Sequence, residues 1–316
     1  FVRALIIWAF RGRPLSWSPA VFRYGSRPVT VLLSLLCALA FHSLLPGNCS
    51  VSAPERTAAV VIPARLGSRR FPRKILARET GKYLIQHVWE RVVDCPGISN
   101  VVIATDSEEI LEACAGFGAQ ARMTSVEHRS GTDRVAEVAE NLSEELIVNV
   151  QGDEPYISHT DIGTLLGLFE VSEAEPGAAG ATVMATLAAE RTDPEGFNDP
   201  NIVKAVVSVD GRALYFSRSA VPQACAEESG DEVEWLQHIG VYAYTREFLL
   251  RFAALEPTAL ERRERLEQLR ALDHGYTIRI GKARGQHLGI DTEEEYTRFV
   301  EEEKGRREDV SVSRGP

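Results

Sequence analysis

The twelve residues Pro63-Ala-Arg-Leu-Gly-Ser-Arg-Arg-Phe-Pro-Arg-Lys74 put four arginines and a lysine into one loop of otherwise small or apolar character. Cations at that density suit a polyanion such as a triphosphate. Neither G-x-G-x-x-G nor G-x-x-x-x-G-K-[ST] is present, so side-chain cations are expected to hold the phosphates alongside backbone N–H groups. Taken alone, the loop reads equally as a solvated basic turn; the motifs around it decide against that. Gln151-Gly-Asp-Glu154 closes an apolar run, with Gly152 allowing close backbone approach and Asp153 offering a carboxylate to Mg2+. Mg2+ takes one or two protein carboxylates and completes its shell from phosphate and water, so a partner for Asp153 is expected. Asp291, in Gly289-Ile-Asp-Thr292, supplies it; alone it would read as a helix N-cap. His128-Arg-Ser-Gly-Thr-Asp-Arg134 places Ser130, Gly131, Thr132 and Asp133 at a helix start, a nest for a phosphate or a nucleobase edge. Three weaker segments are Tyr215-Phe-Ser-Arg218, His238-Ile-Gly-Val-Tyr242 and Leu266-Glu-Gln-Leu-Arg270. The first two set polar groups among apolar neighbours, as pockets for hydroxylated acids do, though a lone His or Tyr reads as readily as core. In the third, Glu267 and Gln268 can equally form a solvated helix face.

The elements that must position these residues follow from the hydrophobic pattern. Strands are expected at Ala58–Ile62, Asn100–Thr105, Gln120–Thr124 and Leu146–Val150, alternating with helices at Tyr83–Val93, Glu108–Ala115, Asp133–Asn141 and Asp161–Val171. Ser107 is an N-cap, and Gly116 and Gly118 end the helix it opens. This alternation predicts βα units on a mainly parallel sheet, with ligands outside the carboxyl ends of the strands. From Val203 to Ser217 two β-rich runs joined through Asp210-Gly211 predict an antiparallel hairpin, an insertion of the sort that forms lids or dimer faces. Helices at Thr245–Leu255 and Glu261–Leu272, a strand at Thr277–Gly281 and a helix at Glu293–Glu303 complete the pattern, with Arg306–Pro316 a frayed tail.

The 316 residues carry a formal charge of −10, unevenly spread. Residues 1–56 hold six Arg and one Glu, leaving 29 basic against 44 acidic residues in the remainder. An acidic body with one basic loop argues against nucleic-acid binding and for a focused pocket for a small anion. Cysteines at 37, 49, 95, 114 and 225 show no C-x-x-C spacing, which points to a reducing compartment without structural zinc. Val29–Leu45 is nearly unbroken apolar text at the lower limit for a membrane span. Residues 1–56 are therefore expected to be a disordered or non-native leader, with a membrane anchor as the alternative. Membrane contact is expected only if 29–45 forms that anchor. The functional domain is placed at 57–305.

In order along the chain, Pro63-Ala-Arg-x-x-Ser-x-Arg-x-Pro-x-Lys74, Ala104-Thr-Asp106, His128-x-Ser-Gly-Thr-Asp-Arg134 and Val148-Asn-Val-Gln-Gly-Asp-Glu-Pro155 are followed by Phe197-Asn-x-Pro-Asn-x-Val-Lys204, Tyr215-Phe-Ser-Arg218, His238-x-Gly-x-Tyr242, Leu266-Glu-Gln-Leu-Arg270 and Gly289-x-Asp-Thr292. This series resembles the 3-deoxy-manno-octulosonate cytidylyltransferases (CMP-Kdo synthetases) from about Ala58 to Glu303. The resemblance implies an α/β, Rossmann-like nucleotidyltransferase fold, its mainly parallel sheet flanked by helices and carrying an antiparallel hairpin insertion. It implies a cytoplasmic homodimer that joins CTP to 3-deoxy-D-manno-octulosonate (Kdo), giving CMP-Kdo and pyrophosphate for lipopolysaccharide biosynthesis. Carried over by position, Lys74, Arg70 and Asp153 would be catalytic. Arg65, Ser68, Arg70, Lys74, Ser130, Gly131, Thr132, Asp133 and Gln151 would bind the nucleotide. Arg218, His238, Tyr242, Glu267 and Gln268 would line the sugar-acid side, and Asp153 and Asp291 would ligate Mg2+. Phe71, Arg69 and Arg73 depart from the family pattern, and Pro222–Trp235 looks shorter than in many relatives. The rival expectations are a cytidylyltransferase for another 2-keto sugar acid (amino-Kdo or sialic acid) and a catalytically silent nucleotide-binding scaffold.

Overall fold

β1 (Ala58–Ala64) is buried at every position, as a run with no polar side chain requires when both faces of its sheet are covered. It lies between two parallel neighbours, β2 (Ile98–Thr105) and β4 (Leu146–Asn149), and β3 (Gln120–Met123) extends the sheet beyond β2. The computed structural model describes residues 57–68, 70–170, 181–223, 234–284 and 289–313, all within the unit Pro54–Pro316. The leader expected at 1–56, Arg69, Cys225 and most of the segment Pro222–Trp235 lie outside the described residues.

Beyond β4 the sheet continues through β8 (Trp235–Thr245), β5 (Met184–Arg191) and β9 (Ile278–Lys282), in the order β3-β2-β1-β4-β8-β5-β9. β8 is antiparallel to both β4 and β5, while β9 is parallel to β5, so six of these seven strands run one way. β6 (Lys204–Val207) and β7 (Ala213–Ser217) form the expected hairpin, which joins β8 through Lys204 and Gln237. Gly211 has φ 82°, the left-handed turn conformation that the Asp-Gly pair predicts.

Alternation along β1 divides the core between two faces. Ala58, Val60 and Ile62 meet Ile85 and Val88 of α1 (Leu84–Val92), Ile110 of α2 (Glu108–Gly116) and Leu165 of α4 (His159–Glu170). Ala59 and Val61 meet Val135 of α3 (Gly131–Ala139), Phe248 of α6 (Arg246–Ala253) and Leu269 of α8 (Gln268–Asp273). Ser107 caps α2 as expected, its side chain accepting from the Ile110 N–H.

Two expectations need correction. The continuous helix at Glu261–Leu272 is two short ones, α7 (Ala259–Glu264) and α8, separated by Arg265 at a left-handed φ of 55°. The break lets the buried Arg270 guanidinium turn back onto both Glu261 oxygens, at 2.8 and 2.6 Å, while Leu266 and Leu269 enter the core. The last helix, α9 (Glu293–Ser313), runs through most of the expected tail, with Arg306 paired to Glu302 and Glu303 one turn back. The pocket segment His238–Tyr242 is the middle of an eleven-residue strand, β8. Strand β5 and the short helix α5 (Pro194–Asn198) had no expected counterpart.

Candidate active site

Lys74 opens a single 3-10 turn, Lys74–Leu76, immediately after Arg73, whose φ of 62° bends the loop sharply. The Arg73 N–H donates to Leu66 O at 3.3 Å, and its side chain pairs with Glu109 of α2. So folded, the loop sends the Lys74 side chain inward until only 9% of it is exposed. There its ammonium donates to Asp153 Oδ2 at 2.5 Å, Asp291 Oδ1 at 2.9 Å and the Ile290 carbonyl at 2.9 Å, using all three N–H donors. Asp153 comes from the loop after β4 and Asp291 from the loop between β9 and α9, so one cation gathers three distant parts of the chain. Asp291 is free for this because Thr292 does the capping: its hydroxyl accepts from the Glu295 N–H at 3.2 Å. Glu295 answers by accepting from the Asp291 and Thr292 N–H groups at 2.7 and 2.9 Å. The second Asp291 oxygen accepts from Arg70 at 2.5 Å.

The electrostatics follow from this crossing. Burial disfavours the Lys74 charge, but Asp153 and then Asp291 outweigh it and raise its pKa. Burial likewise opposes the Asp291 charge, and Lys74 with Arg70 outweighs it, holding the carboxyl below its ordinary range. Glu154 is different: burial, with Asp153 and Asp291 adding to it, pushes its carboxyl up to about 8. Its Oε2 is buried without a hydrogen-bond partner among the described residues.

A pocket of about 650 Å³ opens beside these groups. Of the residues expected to bind a nucleotide, Arg65, Ser68, Arg70, Lys74, Ser130, Gly131 and Gln151 line it. Ser68 also accepts from the Phe71 N–H at 3.4 Å, which steadies the loop. Gly152 sits so close to the opening strand that a Cβ there would lie 3.0 Å from Pro63 O and 3.1 Å from Ile75 and Ile85. Thr132 and Asp133 do not line the pocket. Asp133 forms a reciprocal cap with Ser130, and Thr132 donates to Glu267 at 2.6 Å. A larger groove of about 740 Å³, between residues 71–83 and α2, gathers no comparable set of converging charges.

The residues expected on the sugar-acid side are only partly brought together. Tyr242 faces Asn149 across the β4–β8 pair, close enough to Glu267 for that carboxylate, after burial, to raise its hydroxyl pKa. His238 lies edge-on to Phe216 at 4.9 Å and next to Tyr242 at 5.5 Å. Its Nε2 meets the Thr186 hydroxyl at 3.0 Å, and that hydroxyl also faces the carbonyls of Ile239 and Val241. A hydroxyl that donates to a carbonyl must accept from the ring, so Nε2 carries the proton. Gln268 is buried with no partner for its amide nitrogen among the described residues. Arg218 stands apart, its guanidinium donating to Glu264 O at 2.9 Å and Pro200 O at 3.1 Å.

Sequence reasoning gave no role to Glu154, His128, Arg134 or Asn149. His128 and Arg134 line the pocket, and Arg134 donates to Asp106 at 2.7 Å and to Thr124. All of these lie inside motifs already singled out, so the available signal was position beside a chosen residue.

The donor set fits Mg2+. Two carboxylates that both reach one ammonium nitrogen are close enough to serve one small cation, and hard oxygen donors suit it. Among the described residues no group of three or more His, Cys, Asp or Glu gathers into a metal cage, so further ligands would come from substrate and water.

Residues 59–280 match the family described as cytidylyltransferase. The chain is 44% identical over 239 residues to the 3-deoxy-manno-octulosonate cytidylyltransferase of Solibacter usitatus, covering 75% of this chain and 91% of the relative. It is 43% identical to an 8-amino-3,8-dideoxy-manno-octulosonate cytidylyltransferase of Shewanella piezotolerans, over 75% of this chain and 94% of that one. A solved structure of CMP:2-keto-3-deoxy-manno-octonic acid synthetase complexed with CTP superimposes with a TM-score of 0.72 at 36% identity, over 79% of this chain and 99% of that one. The family match and the likeness to the solved synthetase define a nucleotidyltransferase of the cytidylyltransferase class. Within that class, the chain belongs to the 3-deoxy-manno-octulosonate cytidylyltransferase family.

Proposed function

We propose that this enzyme couples CTP to Kdo, releasing pyrophosphate and forming CMP-Kdo, and that it works as a cytoplasmic homodimer dependent on Mg2+. The observation that carries the reading is the meeting of the Asp153 and Asp291 carboxylates on the Lys74 ammonium at the wall of a pocket of nucleotide size. In the reaction, the anomeric hydroxyl of the sugar acid attacks the α-phosphorus of CTP in line and pyrophosphate departs. Such transfers rest on positioning and charge neutralisation, because the protein has little covalent chemistry to perform. Lys74, Arg70 and Arg65 take up negative charge on the departing phosphates. Ser130 and Gly131 bound the nucleotide at the start of α3, and Gln151 offers an amide to a polar edge. Asp153 and Asp291 hold the metal ion, which supplies Lewis-acid polarisation of a phosphoryl oxygen when bound. Tyr242, His238, Glu267 and Gln268 receive the acid sugar, and Arg218 joins them only by releasing the Glu264 and Pro200 carbonyls; His238, uncharged at neutral pH, serves as a hydrogen-bond partner rather than a counter-ion.

The likeness to an 8-amino-3,8-dideoxy-manno-octulosonate enzyme supports a second reading, in which the amino sugar is the preferred acceptor. Pyrophosphate release with CTP and, in parallel, Kdo, its 8-amino analogue and sialic acid separates the readings. Turnover with Kdo is expected; activity confined to the amino sugar favours the second reading, and none with either octulosonate overturns both. Asp153→Asn should abolish Mg2+-dependent turnover while the circular dichroism spectrum is unchanged, and near-normal turnover in it would remove the metal assignment.

A further inference from the structure

Asn149 is fully buried on β4, yet its amide nitrogen has no hydrogen-bond partner among the described residues. Its Oδ1 accepts from Gln151 Nε2 at 3.1 Å. We propose that Asn149 is a positioning residue: it fixes the Gln151 amide so that the carbonyl Oε1 faces the pocket as an acceptor for a donor group on a substrate. This rests on the nucleotidyltransferase reading above and adds to it a residue that decides what the pocket can recognise.

Three observations carry it. Gln151 lines the pocket, and its Oε1 lies 3.7 Å from where a Cβ on Gly131, another lining residue, would stand. Among the described residues no donor reaches that oxygen, so its lone pairs remain for a ligand. The polarity of the contact is set from behind: Asn149 presents Oδ1 to Gln151, an amide oxygen can only accept, and Gln151 Nε2 must therefore donate. Turning the Gln151 amide alone would oppose two carbonyl oxygens, which no proton could bridge. The substrate group recognised is accordingly an N–H or O–H donor, either the exocyclic amine of cytosine or a hydroxyl of the sugar acid.

The test is a double-mutant cycle on the full chain with Asn149→Leu, Gln151→Met and the pair, measuring KM for CTP and for Kdo separately. Thermal melts accompany each variant. Each single change should raise KM for one and the same substrate by about tenfold, roughly one neutral hydrogen bond, and the pair should be no worse than Gln151→Met alone. A rise confined to CTP, with weakened discrimination against UTP, identifies the cytosine amine; a rise confined to Kdo identifies a sugar hydroxyl. Multiplying effects, or an Asn149→Leu enzyme with both KM values unchanged, overturn the proposal. If Asn149→Leu does not fold, Asn149→Ala replaces it in the same cycle. Absence of turnover in the unaltered enzyme counts against the cytidylyltransferase reading itself, and is distinct from either result.

Discussion

His238 is held as a neutral ring, because burial pushes its pKa down to about 3. An unfolded histidine takes up its proton near pH 6.5. Between those values the unfolded chain binds the extra proton and the folded one does not, so stability is full above about 6.5 and falls as pH drops toward 3. Urea midpoints measured from about pH 7.5 to 5 should therefore decline more steeply for the natural protein than for His238→Gln; parallel declines would contradict the burial argument. Single residues also show where sequence reading reaches its limit. Asp291 and Thr292 are both good N-cap residues, and nothing in their order says that Thr292 takes the cap and leaves Asp291 to Lys74. That Lys74 and Asp153 belong to one site was legible because charged side chains at the ends of apolar strands have few other places to go; that they pair directly was not. Thr132 and Asp133 were assigned to the ligand by their neighbours, whereas their side chains serve Glu267 and the helix start.

At the scale of elements, α4 presses against the sheet where β9 carries Gly281. A Cβ at that position would lie 2.6 Å from Thr164 Cγ2 and 3.2 Å from Leu187 Cδ2. Gly281→Ala should lower stability by about 1–3 kcal/mol through overpacking, read as a reduced denaturant midpoint with an unchanged slope. A midpoint within error of the natural protein would mean that helix and sheet have room to part. The apolar runs of β1 and β4 and the Asp-Gly turn announced themselves because their patterns are local. β8 did not: Gln237, His238, Gly240 and Tyr242 break its apolar text, and it becomes a strand through pairing with β4 and β5 on either side. The break at Arg265 was equally silent, since neither Gly nor Asn marks its left-handed conformation. It is imposed by Arg270 reaching back to Glu261 and by the leucines entering the core.

For the whole molecule, the cytidylyltransferase family match spans residues 59–280, and three quarters of this chain covers 91% of the Solibacter relative. A chain beginning at Thr57 is accordingly expected to keep its turnover, read as pyrophosphate release, and loss of it would assign residues 1–56 a part in the working protein. No helix among the described residues is long and apolar enough to cross a membrane, and residues 29–45 lie outside them. An acidic body with a basic loop at one sheet edge was visible from composition, but the order of strands was not, because it depends on pairings between distant segments. One such pairing has a cost in time. β8 fills the gap between β4 and β5, yet it leaves the ribosome after both. Until Thr245 has been made, β4 lacks one neighbour and β5, whose other partner β9 comes later still, lacks both, and such edges recruit strands from other chains. A pause in translation before Trp235 is where nascent copies of this enzyme would be most prone to stick to one another.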